Sequence, residues 1–510
     1  MARRFCVAID FTGIQAYVFA SNKLKDNLGA SYLLENIFKN IPKHSDIFSE
    51  TSINRIIKEE SSSNGDEVIG YDGGGNKIMF FDTEEDAKNF VKEFSLYILT
   101  EAPGVTFASF IKEIDTDKWK EESKLLFKGL AVNKSKHPSN TVIPRHGITA
   151  ECNQSGFSMD VFVESENKYV SSSVRPKLTA YKNSITESPF SKEYPDYELT
   201  NELDNLGQRK GHENFIAIVH IDGNDMGLTF SALNSLKETR ELSAKIKQHV
   251  KDSYNKLLEQ VIKDIEGKKY DGLLNLIREN NKTSLPIRSI IMGGDDITFV
   301  CEGKLGIYYA KLFMEFMSEL ELPDGNKLST CAGIAIQNTK FPFYRGYELA
   351  EQLCSNAKAK RRQLKSKGNW FDFHISYGGF SGSLKEIRNL HYKSQSGDLY
   401  MRPYHFSIPG FETNSEFDFD NLTKAIAHFK KKDSNGKLIF PNNKIKELRE
   451  VLSQSEASQK DFIKHLNARG LKLCADKTES GLFTGNSTKY LDIIELLEFY
   501  PFASDNKGGN

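Results

Sequence analysis

IRSIIMGGDDITFVCEG, residues 287–303, interrupts an apolar, β-branched run with two glycines and two aspartates. Val, Ile and Phe favour strands and Asp is depleted from them, so the paired acids belong at the tip of a β-hairpin. Taken alone, that tip fits solvated turn residues as well as a metal site, because short motifs recur by chance. Its surroundings decide between the two.

Reading outward, ENFIAIVHIDGNDMG (213–227) is a strand and a turn, and a long helical stretch spans about 231–266 before the hairpin. KLGIYYAKLFMEFMSEL (304–320) then reads as a helix and LSTCAGIAIQ (328–337) as a strand. The same order occurs at the front of the chain: RFCVAID (4–10) is a strand, and GIQAYVFASN and LGASYLLENIFKNI have helical spacing. IGYDGGGNKIMFFD (69–82) is a hairpin, TEEDAKNFVKEFSLYILTE a helix opened by a threonine cap, and GVTFASFIKEI a strand.

Sliding VAID onto VHID places Asp10 on Asp222, and Gly74 and Gly75 on Gly293 and Gly294. Asn76 and Lys77 then fall where the second copy has Asp295 and Asp296. Duplication of this kind predicts an α+β chain with two sandwiches, each an antiparallel sheet with helices on one face. Four regions are expected: 1–114, a helical linker insert over 115–210, 211–377, and a mostly helical C-terminal region over 378–510.

Composition narrows the function. A chain of 510 residues exceeds one core, so several domains are expected. With 68 basic and 69 acidic residues, no basic stripe advertises autonomous nucleic-acid binding. The N-terminus has no signal-peptide pattern, no apolar run is long enough to span a membrane, and six scattered cysteines form no C-x-x-C pair. A reducing cytoplasm is the expected setting.

Asp222 ends a second strand at the same edge as Asp295 and Asp296. Three converging carboxylates stay ionised cheaply only beside a cation, and two divalent ions held by oxygen ligands suit nucleotidyl transfer. Gly293 and Gly294 leave room for phosphates against backbone. Downstream, GYELAEQLCSNAKAKRRQLKSKG crowds cations into a helix C-terminus, where they complement the dipole. Lys358, then Arg361, are the candidates for a triphosphate clamp.

Together IDGNDMG, IIMGGDDITFV, STCAGIAI with PFYRGYELAEQLCSNAK, and DFTGIQAYVFASNKLKDNLGASYLL resemble the large palm-domain subunit of type III CRISPR effector complexes. The Cmr (type III-B) form is the most similar, and GGGN at the front and MRPY at 401–404 agree with it. The resemblance implies two ferredoxin-like palm domains related to GGDEF and adenylyl cyclases, with a helical linker and a C-terminal helical domain. It implies a nucleotidyltransferase that turns ATP into cyclic oligoadenylate second messengers once the complex captures target RNA. Implied partners are the other Cmr-like subunits, guide RNA and target RNA, with no membrane.

Carried over by motif, Asp222, Asp295 and Asp296 are the catalytic and metal-binding acids, for two Mg²⁺ or Mn²⁺ ions. Gly223, Asn224, Asp225, Gly293, Gly294, Lys358 and Arg361 bind nucleotide in the second palm, and Gly74, Gly75 and Asn76 in the first. Two departures carry expectations of their own. The chain opens in the first palm and none of its eleven histidines precedes Asp, so HD-type DNA cleavage is not expected. ECNQSG keeps Cys152 alone where relatives carry a zinc knuckle, so zinc is not expected. Competing readings are transfer of AMP to S-adenosylmethionine, a cyclic di-GMP cyclase, and a nucleotide-binding scaffold without catalysis.

Overall fold

The computed structural model describes residues 4–61, 70, 72–73, 75–136, 147–186, 190–207, 214–378, 382–411, 416–473 and 481–504. Gly74, one of the candidate nucleotide contacts of the first copy, lies outside the described residues. Two main sheets dominate. The first contains β1 (Arg4–Thr12), β2 (Asp72–Gly73), β3 (Asn76–Phe81) and β4 (Thr106–Ile114), in the order β2-β3-β1-β4. The second contains β5 (Phe215–Gly223), β6 (Ile287–Gly293), β7 (Asp296–Glu302), β8 (Thr330–Asn338), β9 (Asn369–Ser376) and β10 (Tyr404–Phe406). Its order is β6-β7-β5-β8-β9-β10, so its first four strands repeat the topology of the first sheet.

Cross-strand register corrects the sequence alignment by one residue. Asp10 faces Asn76 as Asp222 faces Asp296, and Gly73 faces Asn76 as Gly293 faces Asp296. Asn76 is therefore the counterpart of Asp296, and Gly75 of Asp295, whereas Lys77 matches the apolar Ile297. Three consecutive glycines let the sequence match slide, but a two-residue tip fixes the register of its hairpin.

Both sheets are covered on two faces, not one. Val7, Ile9, Met79 and Phe81 join Phe90 and Phe94 of the helix Glu84–Glu101 in one cluster. Cys6, Ala8, Ile78 and Phe80 join Trp119, Leu126 and Leu130 of the helix Trp119–Lys136 in another. The unbroken apolar runs CVAI and IAIVHI are the signature of strands buried on both sides. In the second sheet, Gly306, which opens the helix Gly306–Met317, sits so close that a Cβ there would come within 2.4 Å of the Ala217 Cβ.

The helix Phe343–Gln363 covers strand β8 at Gly333, where a Cβ would lie 1.8 Å from the Ala350 carbonyl oxygen. Gly333→Ala is expected to destabilise the chain by about 3 kcal/mol, because backbone must move to admit the methyl. Denaturant unfolding beside the wild type checks this.

One segment differs from the sequence reading. The long helix expected over 231–266 is broken into Met226–Ala232 and Leu236–Glu266, because Ser235 caps the second helix by accepting from Glu238 N at 3.1 Å. The mostly helical region expected over 378–510 begins with the helix Leu384–His391, opened by a Ser383/Glu386 capping box. Farther on lie the expected helices Phe419–Lys430, Asn442–Val451, Glu456–Ala468 and Tyr490–Phe499, while β10 extends the second sheet.

The palms meet reciprocally. Leu24–Glu35 of the first packs against β6, and Leu236–Glu266 of the second against β2. Trp119 Nε1 donates to Thr239 Oγ1 at 3.0 Å, and across the interface Phe343 N donates to Asn22 Oδ1 at 2.9 Å. Such exchange of matching contacts is the mark of a pseudo-two-fold axis, and it brings the two hairpin tips together.

Candidate functional site

The hairpin tip and the end of β5 assemble the three acids. Asp296 is the direct cross-strand neighbour of Asp222, and Gly223 N donates to Asp295 O at 3.2 Å, closing the tip onto the strand end. A Cβ at Gly223 would lie 2.8 Å from Asp295 Oδ2, and one at Gly293 would lie 3.1 Å from Asp296 Oδ1. Glycine at these positions keeps the carboxylates in place. Gly294 takes the left-handed φ of 52° that the tight turn requires.

Burial, then repulsion from Asp295 and Asp222, pushes Asp296 up to about 8. Burial and Asp222 raise Asp295 to about 6. Both acids thus take up protons near neutrality unless positive charge reaches them. The chain supplies one such charge: Lys358 Nζ lies 2.6 Å from Asp222 Oδ2 and donates to Gly223 O at 3.0 Å. Burial works against that ammonium, but the Asp222 carboxylate beside it outweighs burial and holds its pKa above the usual value.

The raised carboxylates set a pH dependence. A folded-state pKa above the unfolded one means the native chain binds more protons, so stability falls as pH rises from about 4 towards 8. With a chelator present, Asp296→Asn should therefore gain stability over the wild type, on the order of 1–3 kcal/mol at pH 7.5 and much less at pH 5. Melting curves at the two pH values check the sign.

The other nucleotide-site candidates divide. Asp225, in the left-handed region at φ 57°, pairs with Nη2 of Arg361, a residue only 6 % exposed whose Nη1 donates to Ser366 O at 3.1 Å. Asn224 is buried; its N donates to Ser329 O at 2.9 Å, its Nδ2 to Ser329 Oγ at 3.1 Å, and its Oδ1 has no partner. Asp225 and Arg361 thus hold one another, and Lys358 is the cation that reaches the acids. Cys152 sits away from the site, in a small cluster with Val170, Val174 and Leu178. Among the described residues, no three or more His, Cys, Asp and Glu side chains stand close enough to enclose an ion.

Two cavities lie between the tips. One, of about 520 Å³, is lined by Asn76, Trp119, Phe127, Phe230, Gly294 and Asp295. The other, of about 150 Å³, is lined by Phe11, Ile14, Phe38, Gly75, Gly293 and Asp296. Each draws on both palms, so Gly75 and Asn76 do face the acids of the other copy. The aromatic walls escaped the sequence reading, having no motif to mark them. So did a pair in the first palm: Lys134 Nζ lies 2.6 Å from Asp10 Oδ2. This repeats Lys358 on Asp222, and in each palm the lysine comes from the helix that follows β4 or β8. Two such pairs were detectable only by aligning the helices as well as the hairpins.

Fold and site define a two-palm protein in which one palm keeps its acids. Residues 215–366 match the family Cas10/Cmr2, second palm domain. Similar solved structures include a Csm1–Csm4 cassette in complex with cA4 and one in complex with one ATP. Each is 14% identical with a TM-score of 0.55, over 98% of this chain and 70% of that one. An apo Csm1–Csm4 cassette is 12% identical with a TM-score of 0.51. These likenesses establish the ferredoxin-like palm fold. No curated protein is similar in sequence, and no helix among the described residues is long and apolar enough to cross a membrane.

Proposed function

We propose that the chain is the nucleotidyltransferase subunit of a type III CRISPR complex, converting ATP to cyclic oligoadenylates when the complex holds target RNA. The observation that carries this reading is the facing pair Asp222 and Asp296, with Asp295 beside them at the mouth of a cavity shared by both palms. Similarity to assemblies described with cA4 and with ATP supports the product class, and their Csm4 supports partnership with other type III subunits.

The donor chemistry suits Mg²⁺ or Mn²⁺: Asp222, Asp295 and Asp296 offer hard carboxylate oxygens, which do not stand as one ion-enclosing cluster in the ion-free arrangement. Burial with mutual repulsion raises Asp295 and Asp296 and so favours a cation beside them. Asp222, Asp295 and Asp296 would hold the ions, which would lower the pKa of a ribose hydroxyl and neutralise departing pyrophosphate. Lys358 can exchange Asp222 for a phosphate oxygen without leaving the acids, and the Asp225–Arg361 pair braces the loop beside it. Gly223, Gly293 and Gly294 leave backbone open to the phosphates. Gly75 and Asn76 contact the second nucleotide from the first palm, where an amide replaces the acid and no charge has to be neutralised.

The test is pyrophosphate release from ATP by the full chain, alone and within its complex, with Mg²⁺ or Mn²⁺ and with or without S-adenosylmethionine. Release that requires the metal supports the reading. Release that requires S-adenosylmethionine reassigns the acceptor, and its absence under every condition favours a scaffold.

A further inference from the structure

The MRPY segment has no part in the chemistry above, yet it lies in a buried ionic network. Arg402, whose side chain is fully buried, pairs with Glu495 at 2.8 Å and Asp492 at 3.4 Å on the helix Tyr490–Phe499. Its guanidinium lies 4.2 Å from the ring centroid of Phe373 in β9. Asp492 Oδ2 accepts from Tyr404 Oη at 2.6 Å and from Met401 N at 2.8 Å. The next residue back along β9, Asp372, is also fully buried, and Arg388 of the helix Leu384–His391 pairs with it at 2.6 Å.

Asp372 does more than neutralise an arginine. Its Oδ2 accepts from Asn356 Nδ2 at 2.7 Å, and Asn356 lies on the helix Phe343–Gln363, two residues before Lys358. One turn earlier, Gln352 Oε1 accepts from Leu384 N at 2.7 Å. Residues four apart share a helix face, so Gln352 and Asn356 form one stripe that ties the lysine-bearing helix to the C-terminal region. Burying ions is a poor way to gain stability, since apolar packing of the same volume usually does as well. It does fix geometry, because each partner has few positions in which it is satisfied.

We propose that Asp372, held by Arg388 and acting through Asn356, is the positioning residue for Lys358. The C-terminal region thereby sets how the second palm grips the phosphates of its nucleotide. This rests on Lys358 as the phosphate contact proposed above. A side chain that swings on a helix turn displaced by a fraction of an ångström loses much of a charge-assisted hydrogen bond.

The test is binding of ATP and of adenosine, with Mg²⁺, to the full chain and to four variants. Lys358→Ala is expected to weaken ATP by about tenfold or more and adenosine little. Asn356→Ala, at a half-buried position, and Asp372→Asn are expected to weaken ATP about three- to tenfold and to leave adenosine unchanged. Ile493→Val, in the core of the last helix, should change neither, which separates positioning from general loss of stability. Should Asp372→Asn not fold, Asn356→Ala alone decides. ATP binding unchanged in Asn356→Ala while Lys358→Ala loses it overturns the positioning role. ATP binding unchanged in Lys358→Ala overturns the assignment of the lysine instead.

Discussion

Replacing Asp295 and Asp296 together by alanine is expected to lower ATP turnover by on the order of a thousandfold or more, with the fold intact. The two acids stand at the hairpin tip, half-buried, and neither takes part in a core cluster. Their loss removes two of the three oxygen donors and leaves Asp222 with Lys358 alone. It also removes two carboxyls that burial disfavours in their charged form, so the variant should melt no lower than the wild type in chelator. Activity and melting move in opposite directions, which a structural role for the acids would not produce. Turnover within about tenfold of the wild type would show that the chemistry lies elsewhere.

The second large effect concerns stability. Arg402→Ala is expected to cost about 3–5 kcal/mol, because Asp492 and Glu495 would remain buried without their shared cation. Burial already lifts Asp492 to about 6 against the pull of Arg402. Without the arginine its folded pKa must rise further, so the deficit is largest above neutrality and shrinks towards pH 5, where the carboxyl is neutral in any case. Denaturant unfolding at pH 5 and pH 8 measures both the size and the sign. Equal losses at the two pH values would mean that lost packing on Phe373, rather than uncovered charge, dominates.

Much of this architecture was legible in the chain. The repeated order of strand, helices, hairpin, helix and strand predicted two copies of one sheet, and the strand orders agree. The proposed chemistry rests on a difference between the copies, acids against glycine and asparagine. Sequence placed that difference one residue out, because GGGN offers no side chain to set the register and only the pairing of Asp10 with Asn76 does so. Two-sided burial was written in the unbroken run CVAI, although helices were expected on one face.

What composition could not convey is which distant groups meet. Lys358 stands in a crowd of cations on one helix, and only the fold shows that it reaches Asp222 while Arg361 turns to Asp225. Asp372 belongs to no motif that the sequence marks. Its partners lie sixteen residues away in either direction, on separate helices. Trp119, Phe127 and Phe230 carry no signature except their type, since an aromatic residue at helical spacing usually belongs to the core.

The most direct measurement is the mass of the products made from labelled ATP by the assembled complex with guide and target RNA and Mg²⁺. The wild-type chain is predicted to yield adenylates linked into rings, and the Asp295→Ala/Asp296→Ala chain none. A wild-type complex that binds target RNA and ATP but forms no bond between nucleotides, or a double variant that still makes rings, would contradict the account.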